Sequence, residues 1–142
     1  MRILITGGCG FIGSNLAIFL KEKIKNVKIT SIDNLSRKGS QLNHKRLSKK
    51  GIKNFKINIV DSSKLMKLTK FDLIIHCAAE PAIEVSRKKT EKVFKSNLVG
   101  TFNILQKCAK DKSNIIYLSS SRVYAIENLL NLKKKGFVNE DF

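Results

Sequence analysis

The sequence predicts a doubly wound α/β domain, in which helices cover both faces of a parallel β-sheet. Three observations indicate this fold. Short apolar runs alternate along the chain with segments of helical spacing. Several of these runs are apolar throughout, as is typical of strands buried on both faces. A glycine-rich turn joins the first run to the first helical segment. Right-handed crossovers between successive strands then predict the spatial strand order 3-2-1-4-5.

The first unit of the chain is predicted to be a strand, a turn and a helix. RILIT at residues 2–6 has the aliphatic and β-branched residues of a buried strand, and glycines follow at positions 7 and 8. Beyond them Ile12, Leu16 and Ile24 fall at helical spacing, and lysines crowd the far end of the segment. We therefore expect the strand to enter the helix through a glycine turn.

Four further strands and two further helices are predicted. The strands are expected at residues 27–32, 55–59, 71–78 and 114–119. A basic segment is expected to hold a short helix near residues 39–50, and a long helix is expected from about residue 88 to residue 110. The predicted buried face of that long helix consists of Val93, Leu98, Phe102, Leu105 and Ala109.

Composition and charge indicate one domain with a sizeable core. The chain has 142 residues, of which 42% are hydrophobic and 27% are charged. Its formal net charge is +17, and almost all of the positive charge comes from lysines spread over most polar segments. No aromatic residues interleave the lysine clusters, so we expect a solvated surface; nucleic-acid binding is the less favoured alternative. No apolar run is long enough to span a membrane, and no secretory signal pattern is present, which predicts a cytoplasmic protein.

The three cysteines are Cys9, Cys77 and Cys108. Their number is odd, and their spacing matches neither a disulfide framework nor a zinc site. We therefore expect small buried side chains in a reducing compartment and no metal site.

The turn after the first strand carries the clearest functional pattern. TGGCGFIG at residues 6–13 satisfies GxGxxG and GxxGxxG at once. In such a loop one glycine makes the tight turn, one lets the backbone approach a pyrophosphate, and Gly13 lets the helix pack close to the strand. The helix N-terminus then presents its amides to the anion. The pattern predicts a dinucleotide site.

Asp33 ends the second strand, about 20 residues beyond the last glycine of the loop, as the dinucleotide fingerprint requires. Its carboxylate is expected to accept hydrogen bonds from the ribose hydroxyls of the adenosine. This favours NAD, because a 2′-phosphate there would meet a like charge. Arg37 leaves NADP open as the alternative, since an arginine can accommodate that phosphate.

Taken together, these motifs resemble those of the NAD-dependent epimerase/dehydratase family, within the extended short-chain dehydrogenase/reductase superfamily, which acts on nucleotide sugars. The motifs are TGGCGFIGSNL at 6–16, DNLSR at 33–37, HCAAEPA at 76–82, NLVGT at 97–101 and SSSRVY at 119–124. The resemblance implies a Rossmann fold over residues 1–142. Within the family, DNLSRKGS and SRVY are most similar to the CDP-paratose 2-epimerase (CDP-tyvelose epimerase) subfamily.

The resemblance also implies roles for individual residues. Asn58 departs from the usual aspartate of the family, yet its amide oxygen can accept from the adenine amino group. Asn97 is expected to fix either the nicotinamide half or the backbone of the active site, with a solvent-facing asparagine as the alternative. His76 is expected to be packed and hydrogen-bonded. The expected cofactor-binding residues are Gly7, Gly10, Phe11, Ile12, Gly13, Asp33, Asn34, Ser36, Arg37, Asn58, Ile59, Cys77, Ala78, Ala79, Asn97 and Ser119. For Cys77, Ala78 and Ala79, ordinary packing at a strand end is the alternative.

By the same resemblance, Ser120 is the catalytic serine, four residues before Tyr124. It would hydrogen-bond the substrate oxygen on the carbon that exchanges hydride with NAD. The base should be the tyrosine of a YxxxK pair, whose lysine lowers the tyrosine pKa. The sequence contains no YxxxK. We therefore expect a chain truncated before the catalytic helix and the substrate domain, and inactive by itself.

The leading hypothesis is an NAD-dependent nucleotide-sugar epimerase, an isomerase of carbohydrate metabolism that passes through a keto intermediate. A 4,6-dehydratase or reductase of the same family is the alternative. A dehydratase would typically carry acidic residues after the active hydroxyl, where Ser121 and Arg122 stand. A non-catalytic NAD-binding module is a further alternative. Expected partners are a nucleotide sugar and, through the long helix, a second copy in a homodimer.

Overall fold

The computed structural model describes residues 1–81 and 89–119, and these form one five-stranded sheet flanked by helices. The sheet order is β3-β2-β1-β4-β5, and every described pairing is parallel. The predicted α/β fold and strand order are therefore confirmed. The strands are β1 (Arg2–Thr6), β2 (Lys28–Asp33), β3 (Lys53–Lys56), β4 (Leu73–His76) and β5 (Asn114–Tyr117).

The register of the sheet brings all carboxyl ends to one edge. Thr6, the last residue of β1, lies opposite Ile32 in β2 and His76 in β4. His76 in turn lies opposite Tyr117, the last residue of β5. The loops that follow the strands therefore meet along this edge, which is where open α/β sheets bind ligands.

Helices cover the sheet on both sides. They are α1 (Phe11–Lys23), α2 (Ser40–Lys49), α3 (Ser62–Met66), α4 (Thr90–Phe94) and α5 (Gly100–Asp111), with a π-helical turn (Lys95–Val99) between α4 and α5. Within the described ranges, no helix is both long and apolar enough to cross a membrane.

Two hydrophobic clusters fill the two faces of the sheet. Alternate residues of β1 point to opposite faces, so Ile3 and Ile5 join one cluster while Leu4 joins the other. Ala17 of α1 and Leu47 of α2 pack in the first cluster. The second contains Leu65 of α3, Phe71, Ile74 and Ile104 of α5. This double burial explains why the strands are apolar on both faces.

The third strand was predicted too late in the chain. The residues expected at 55–59 overlap β3 (Lys53–Lys56) by only two positions. Ile57 still donates its backbone N–H to the Asp33 carbonyl at 3.1 Å, but Asn58 Oδ1 accepts from Val60 N–H at 3.1 Å and turns the chain. Ile59 is 6% exposed without being in a strand. Its apolar side chain explains why the sequence pattern predicted a strand at this position.

The predicted buried face of the long helix was wrong. Leu98, Phe102 and Leu105 are 59%, 57% and 48% exposed, respectively. The residues that are buried instead are Gly100, Asn103, Ile104, Lys107, Cys108 and Asp111. Several of them are polar, so apolar periodicity pointed to the opposite side of the helix.

A buried ion pair explains how lysine can face the core of the domain. Lys107 Nζ lies 2.7 Å from each carboxylate oxygen of Asp111 and donates to the carbonyls of Leu68 and Thr69 at 3.1 Å. Asp111 also accepts from the backbone N–H of Phe71 at 3.1 Å. Because both charged groups have hydrogen-bond partners, the pair avoids the free-energy penalty of an unpaired buried charge.

Candidate functional site

A cleft of ≈ 910 Å³ opens along the carboxyl edge of the sheet. It lies where the chain order reverses between β1 and β4, the usual ligand position in doubly wound sheets. Its volume is in the range typical of small-molecule and cofactor sites, roughly 300 to 1,000 Å³. Every cofactor-binding residue predicted from the sequence lines this cleft, with the exception of Asn97.

The glycine loop forms one wall of the cleft. Gly7 has φ +64, and a Cβ atom there would lie 2.8 Å from the Cα of Ala78, so the position requires glycine. Gly10 N–H donates to the Gly7 carbonyl at 2.9 Å and closes the turn. A Cβ at Gly13 would lie 2.4 Å from the same carbonyl oxygen, because α1 begins directly against the loop.

The N-terminus of α1 faces the cleft. Its first turn contains no acidic residue, and no side chain caps it. Phe11 and Ile12 at this end are 84% and 55% exposed. The backbone amides and the helix dipole are therefore suited to hold a phosphate group.

Asp33 is held rigidly at the end of β2. Its Oδ2 accepts from the backbone N–H of Cys9 at 3.0 Å, and its Oδ1 accepts from Leu35 N–H at 2.8 Å. The carboxylate thus ties the second strand to the glycine loop. Because each carboxylate oxygen has a second lone pair, Asp33 can still accept two hydroxyl groups. Asn34 Oδ1 accepts from Ser36 N–H at 3.0 Å and shapes the loop that follows.

The segment after β3 supplies a wall of the cleft that has both polar and apolar side chains. Asn58 is exposed in the cleft, while Ile59 is buried beneath it. Ile59 is packed tightly against α5, since a Cβ at Gly100 would lie 2.5 Å from its Cδ1 atom. This apolar surface is suited to one face of a flat base, and the Asn58 side chain is suited to its polar edge.

The residues after β4 line the opposite wall. Cys77 N–H donates to the Thr6 carbonyl at 3.2 Å, and Ala78 N–H donates to Thr6 Oγ1 at 3.2 Å. These residues therefore combine strand-end packing with exposure to the cleft. Burial raises the pKa of the Cys77 thiol to about 11 and that of Cys9 to about 12, where Asp33 adds to the effect. Both thiols remain protonated near neutral pH and are poor nucleophiles.

His76 belongs to a one-directional chain of hydrogen bonds. Thr101 donates its hydroxyl to the Asn97 carbonyl at 2.7 Å, so it must accept from His76 Nε2–H at 3.1 Å. His76 Nδ1 then accepts from the Thr6 hydroxyl at 2.6 Å. Burial lowers the pKa of His76 to about 4. The predicted packed, hydrogen-bonded histidine is confirmed, and near neutral pH it is uncharged.

Asn97 holds the backbone of Glu80 rather than lining the cleft. Its Oδ1 accepts from Glu80 N–H at 2.7 Å, and its Nδ2 donates to the Glu80 carbonyl at 3.1 Å. These contacts match one of the two roles expected for Asn97, that of fixing the backbone beside the cleft. They differ from the solvent-facing alternative.

Charged residues in the cleft wall were missed by the sequence reasoning. Glu80 is 8% exposed and pairs with Arg37 and Lys92, each at 2.8 Å. Glu91 and Lys95 also line the cleft and pair with each other. The sequence does single out Glu80 in one respect, because it is the only acidic residue of the HCAAEPA motif. Its partners lie 43 and 12 positions away, so their pairing could not be read from spacing.

The serines after β5 are only partly described. Ser119 lines the cleft. The predicted catalytic Ser120 lies outside the described residues, as do Ser121, Arg122 and Tyr124. Among the residues described, no cluster of three or more metal-binding side chains occurs.

Comparisons with known proteins agree with the sequence motifs. The family model described as the NAD dependent epimerase/dehydratase family matches residues 3–135. A dTDP-D-glucose 4,6-dehydratase from Dictyostelium discoideum is 40% identical over 129 residues, covering 87% of this chain and 30% of the relative. A CDP-paratose 2-epimerase from Salmonella typhi is 38% identical over 132 residues, covering 87% of this chain and 38% of the relative.

Solved structures give the same result. The structure of a UDP-glucose 4-epimerase from Bifidobacterium longum in complex with NAD+ and UDP superimposes with a TM-score of 0.77 at 27% identity, covering 88% of this chain and 38% of that one. The chain thus spans between 30% and 38% of the length of these three proteins.

Proposed function

The chain belongs to the NAD dependent epimerase/dehydratase family, and on that premise we propose that it binds NAD as the cofactor-binding part of a nucleotide-sugar epimerase. The observation that carries the proposal is the hydrogen bond between Cys9 N–H and Asp33 Oδ2 at 3.0 Å. It joins the glycine loop, proposed to hold the phosphates, and the carboxylate proposed to hold the ribose, although they lie 24 positions apart in the sequence.

The residues of the cleft fit NAD in their chemistry. The uncapped N-terminus of α1 would hold the pyrophosphate, and Asp33 would accept from the adenosine ribose hydroxyls. Ile59 would pack against the adenine, with Asn58 at its polar edge. Cys77, Ala78 and Ala79 would border the remainder of the cofactor with small side chains. When bound, NAD supplies reversible hydride exchange with a sugar carbon through a keto intermediate.

In this proposal Ser119, which lines the cleft, lies toward its reacting end. Ser119 would contact the cofactor, and Ser120 would donate a hydrogen bond to the substrate oxygen and hold it in place. The sequence contains no YxxxK pair to take the proton from that oxygen. We propose that residues outside these 142 supply that base and most of the sugar contacts, and that this chain alone turns over poorly.

A 4,6-dehydratase is the second candidate function. The Dictyostelium relative named for that activity is 40% identical to this chain, against 38% for the Salmonella 2-epimerase. The residues after the expected active hydroxyl, Ser121 and Arg122, favour epimerisation, because a dehydratase would typically place acidic groups there. A non-catalytic NAD-binding module is the third candidate.

Calorimetric titration of the purified chain with NAD tests the binding proposal directly. We expect saturable binding to one site per chain. ADP-ribose should also bind, and nicotinamide mononucleotide should bind more weakly, because most of the residues proposed to hold the cofactor would lie on its adenosine side. Absence of binding by NAD and by ADP-ribose would contradict the proposal.

An assay with UDP-, dTDP- and CDP-linked hexoses tests the catalytic part. The 142-residue chain with NAD is expected to give no product above background. Robust epimerisation by this chain alone would contradict the proposed need for a separate base. Release of water from the sugar, giving a 4-keto-6-deoxy product, would favour the dehydratase instead.

A homodimer is proposed through the exposed side of the long helical segment. Phe94, Leu98, Phe102 and Leu105 are each about half exposed and recur every three or four residues. We name these four residues the apolar face. Exposed apolar groups on one side of a helical segment are typical of protein interfaces. A cytoplasmic location and the absence of nucleic-acid binding remain predictions from the sequence.

A further inference from the structure

Glu80 is a buried carboxylate with two cationic partners from two other elements. Its Oε1 accepts from Arg37 Nη2 at 2.8 Å, and its Oε2 accepts from Lys92 Nζ at 2.8 Å. The Glu80 side chain is 8% exposed, whereas Arg37 and Lys92 are 55% and 49% exposed. Two hydrogen bonds with Asn97, one accepted and one donated by its side chain, hold the Glu80 backbone as well. Asn97 at the backbone and Lys92 at the carboxylate therefore hold Glu80 in addition to Arg37.

The ion pair with Glu80 changes the role that Arg37 can have in cofactor binding. It follows Asp33 by four positions and is the one arginine among the described residues that line the cleft. A 2′-phosphate on a ribose bound at Asp33 would need a cation brought close to that ribose. The Arg37 guanidinium donates through Nη2 to Glu80 and is anchored there, so turning it toward such a phosphate would leave a buried carboxylate with one partner fewer.

We propose that Glu80 determines the cofactor preference of the cleft by holding Arg37 away from the place of a 2′-phosphate, so that NAD is accepted and NADP is refused. This inference rests on the proposed function, namely that the cleft binds a nicotinamide dinucleotide. Two groups then act against NADP in different ways. Asp33 repels the phosphate, and Glu80 removes the cation that would compensate for the repulsion.

The ion pairs persist near neutral pH. Hydrogen bonding by Lys92, and then by Arg37, holds the pKa of Glu80 below its ordinary value against the opposing effect of burial. Glu80 thus remains ionised in the range where the cofactor would bind.

Titration of NAD and NADP into Glu80→Gln tests the inference. The amide keeps the shape of the side chain but loses the charge that holds Arg37. We expect the affinity for NADP to rise about tenfold, as one new charge-assisted hydrogen bond to phosphate implies, with little change for NAD. Lys92→Gln is the matched control: it removes the other cation and leaves the Arg37 pair intact, so the ratio of the two affinities should stay as in the wild type. The double variant Glu80→Gln/Arg37→Gln should lose the gain in NADP affinity.

Arg37→Gln alone provides a second test at a half-exposed position where folding is not at risk. If Arg37 is held by Glu80, this change leaves the weak NADP binding of the wild type almost unaltered. A tenfold or greater loss of NADP affinity would mean that Arg37 already serves the phosphate, and would overturn the inference. An unchanged ratio of the NAD and NADP affinities in a folded Glu80→Gln protein would also overturn the inference. Wild-type protein that binds neither dinucleotide would instead contradict the proposed function itself.

Discussion

Asp33 at the end of β2 accepts a hydrogen bond from the backbone N–H of Cys9, in the glycine loop, at 3.0 Å. Its other oxygen accepts from Leu35 N–H at 2.8 Å. The carboxylate therefore does two things: it fixes the loop against the second strand, and it presents its remaining lone pairs to the cleft. Both follow from the parallel pairing of β1 and β2, which brings their carboxyl ends together.

Asp33→Asn is expected to weaken NAD binding at least tenfold. The amide offers one acceptor atom in place of two and carries no charge, so a charge-assisted hydrogen bond to a ribose hydroxyl is lost. Calorimetry on the variant measures the change. The matched control is Asp72→Asn at the opposite edge of the sheet, where Asp72 accepts from Arg2 N–H at 2.7 Å. If both variants lost affinity equally, the effect would be general rather than local.

The fold and most of the cleft were predictable from the sequence because both depend on local patterns. Apolar runs marked the strands, and the residues that follow the strands necessarily meet at one edge. The paired charges of Glu80, Arg37 and Lys92 were not predictable, since they join three elements that are distant in the chain.

The long helix shows a second reason why a prediction from the sequence was wrong. Its apolar residues were expected to face the core, yet the core side carries Asn103, Lys107 and Asp111. These polar groups are satisfied by carbonyls and by each other. Asn103 Nδ2, for example, donates to the carbonyls of Ile59 and Val60 at 3.0 Å. Periodicity alone cannot reveal which polar side chains will find buried partners.

Asn58→Asp is expected to strengthen NAD binding about threefold to tenfold. Asn58 Oδ1 already accepts from Val60 N–H at 3.1 Å, which leaves this oxygen one lone pair for a ligand. An aspartate would supply a second acceptor oxygen that is free of the Val60 bond, and its charge would strengthen the hydrogen bond from the adenine amino group.

Calorimetry with NAD measures that gain. Asn26→Asp is the control for the added charge, because exposed Asn26 stands outside the cleft, in the turn after α1. Weaker binding by Asn58→Asp would contradict the assignment of this side chain to the adenine edge.

The buried His76 is expected to make stability depend on pH between about 6.5 and 4. Burial lowers the pKa of His76 from 6.5 to about 4, so the unfolded chain binds the proton more readily than the folded one. The contribution is fully present above pH 6.5 and is lost as the pH falls toward 4. It amounts to roughly 3 kcal/mol at 1.36 kcal/mol for each pH unit.

Urea unfolding at several pH values measures this dependence. His76→Gln can replace both hydrogen bonds without titrating, so its free energy of unfolding should fall less steeply with acid than that of the wild type. Thr101→Val removes the Nε2 partner but keeps the imidazole buried, and it should retain the steep dependence. Equal slopes for wild type and His76→Gln would show that His76 is not the titrating group.

The apolar face provides the test of self-association. Phe102 is 57% exposed near the middle of this surface, and a second copy that covered it would remove aromatic and aliphatic groups from water. Phe102→Glu would place charges in such an interface and should shift a dimer to monomer in sedimentation velocity experiments. Leu42→Glu on α2 is the matched control, because Leu42 is 71% exposed but lies outside the apolar face. That variant should sediment like the wild type. A wild-type protein that remains monomeric at high micromolar concentration would contradict the proposed homodimer, and a dimer unaffected by Phe102→Glu would move the interface to another surface.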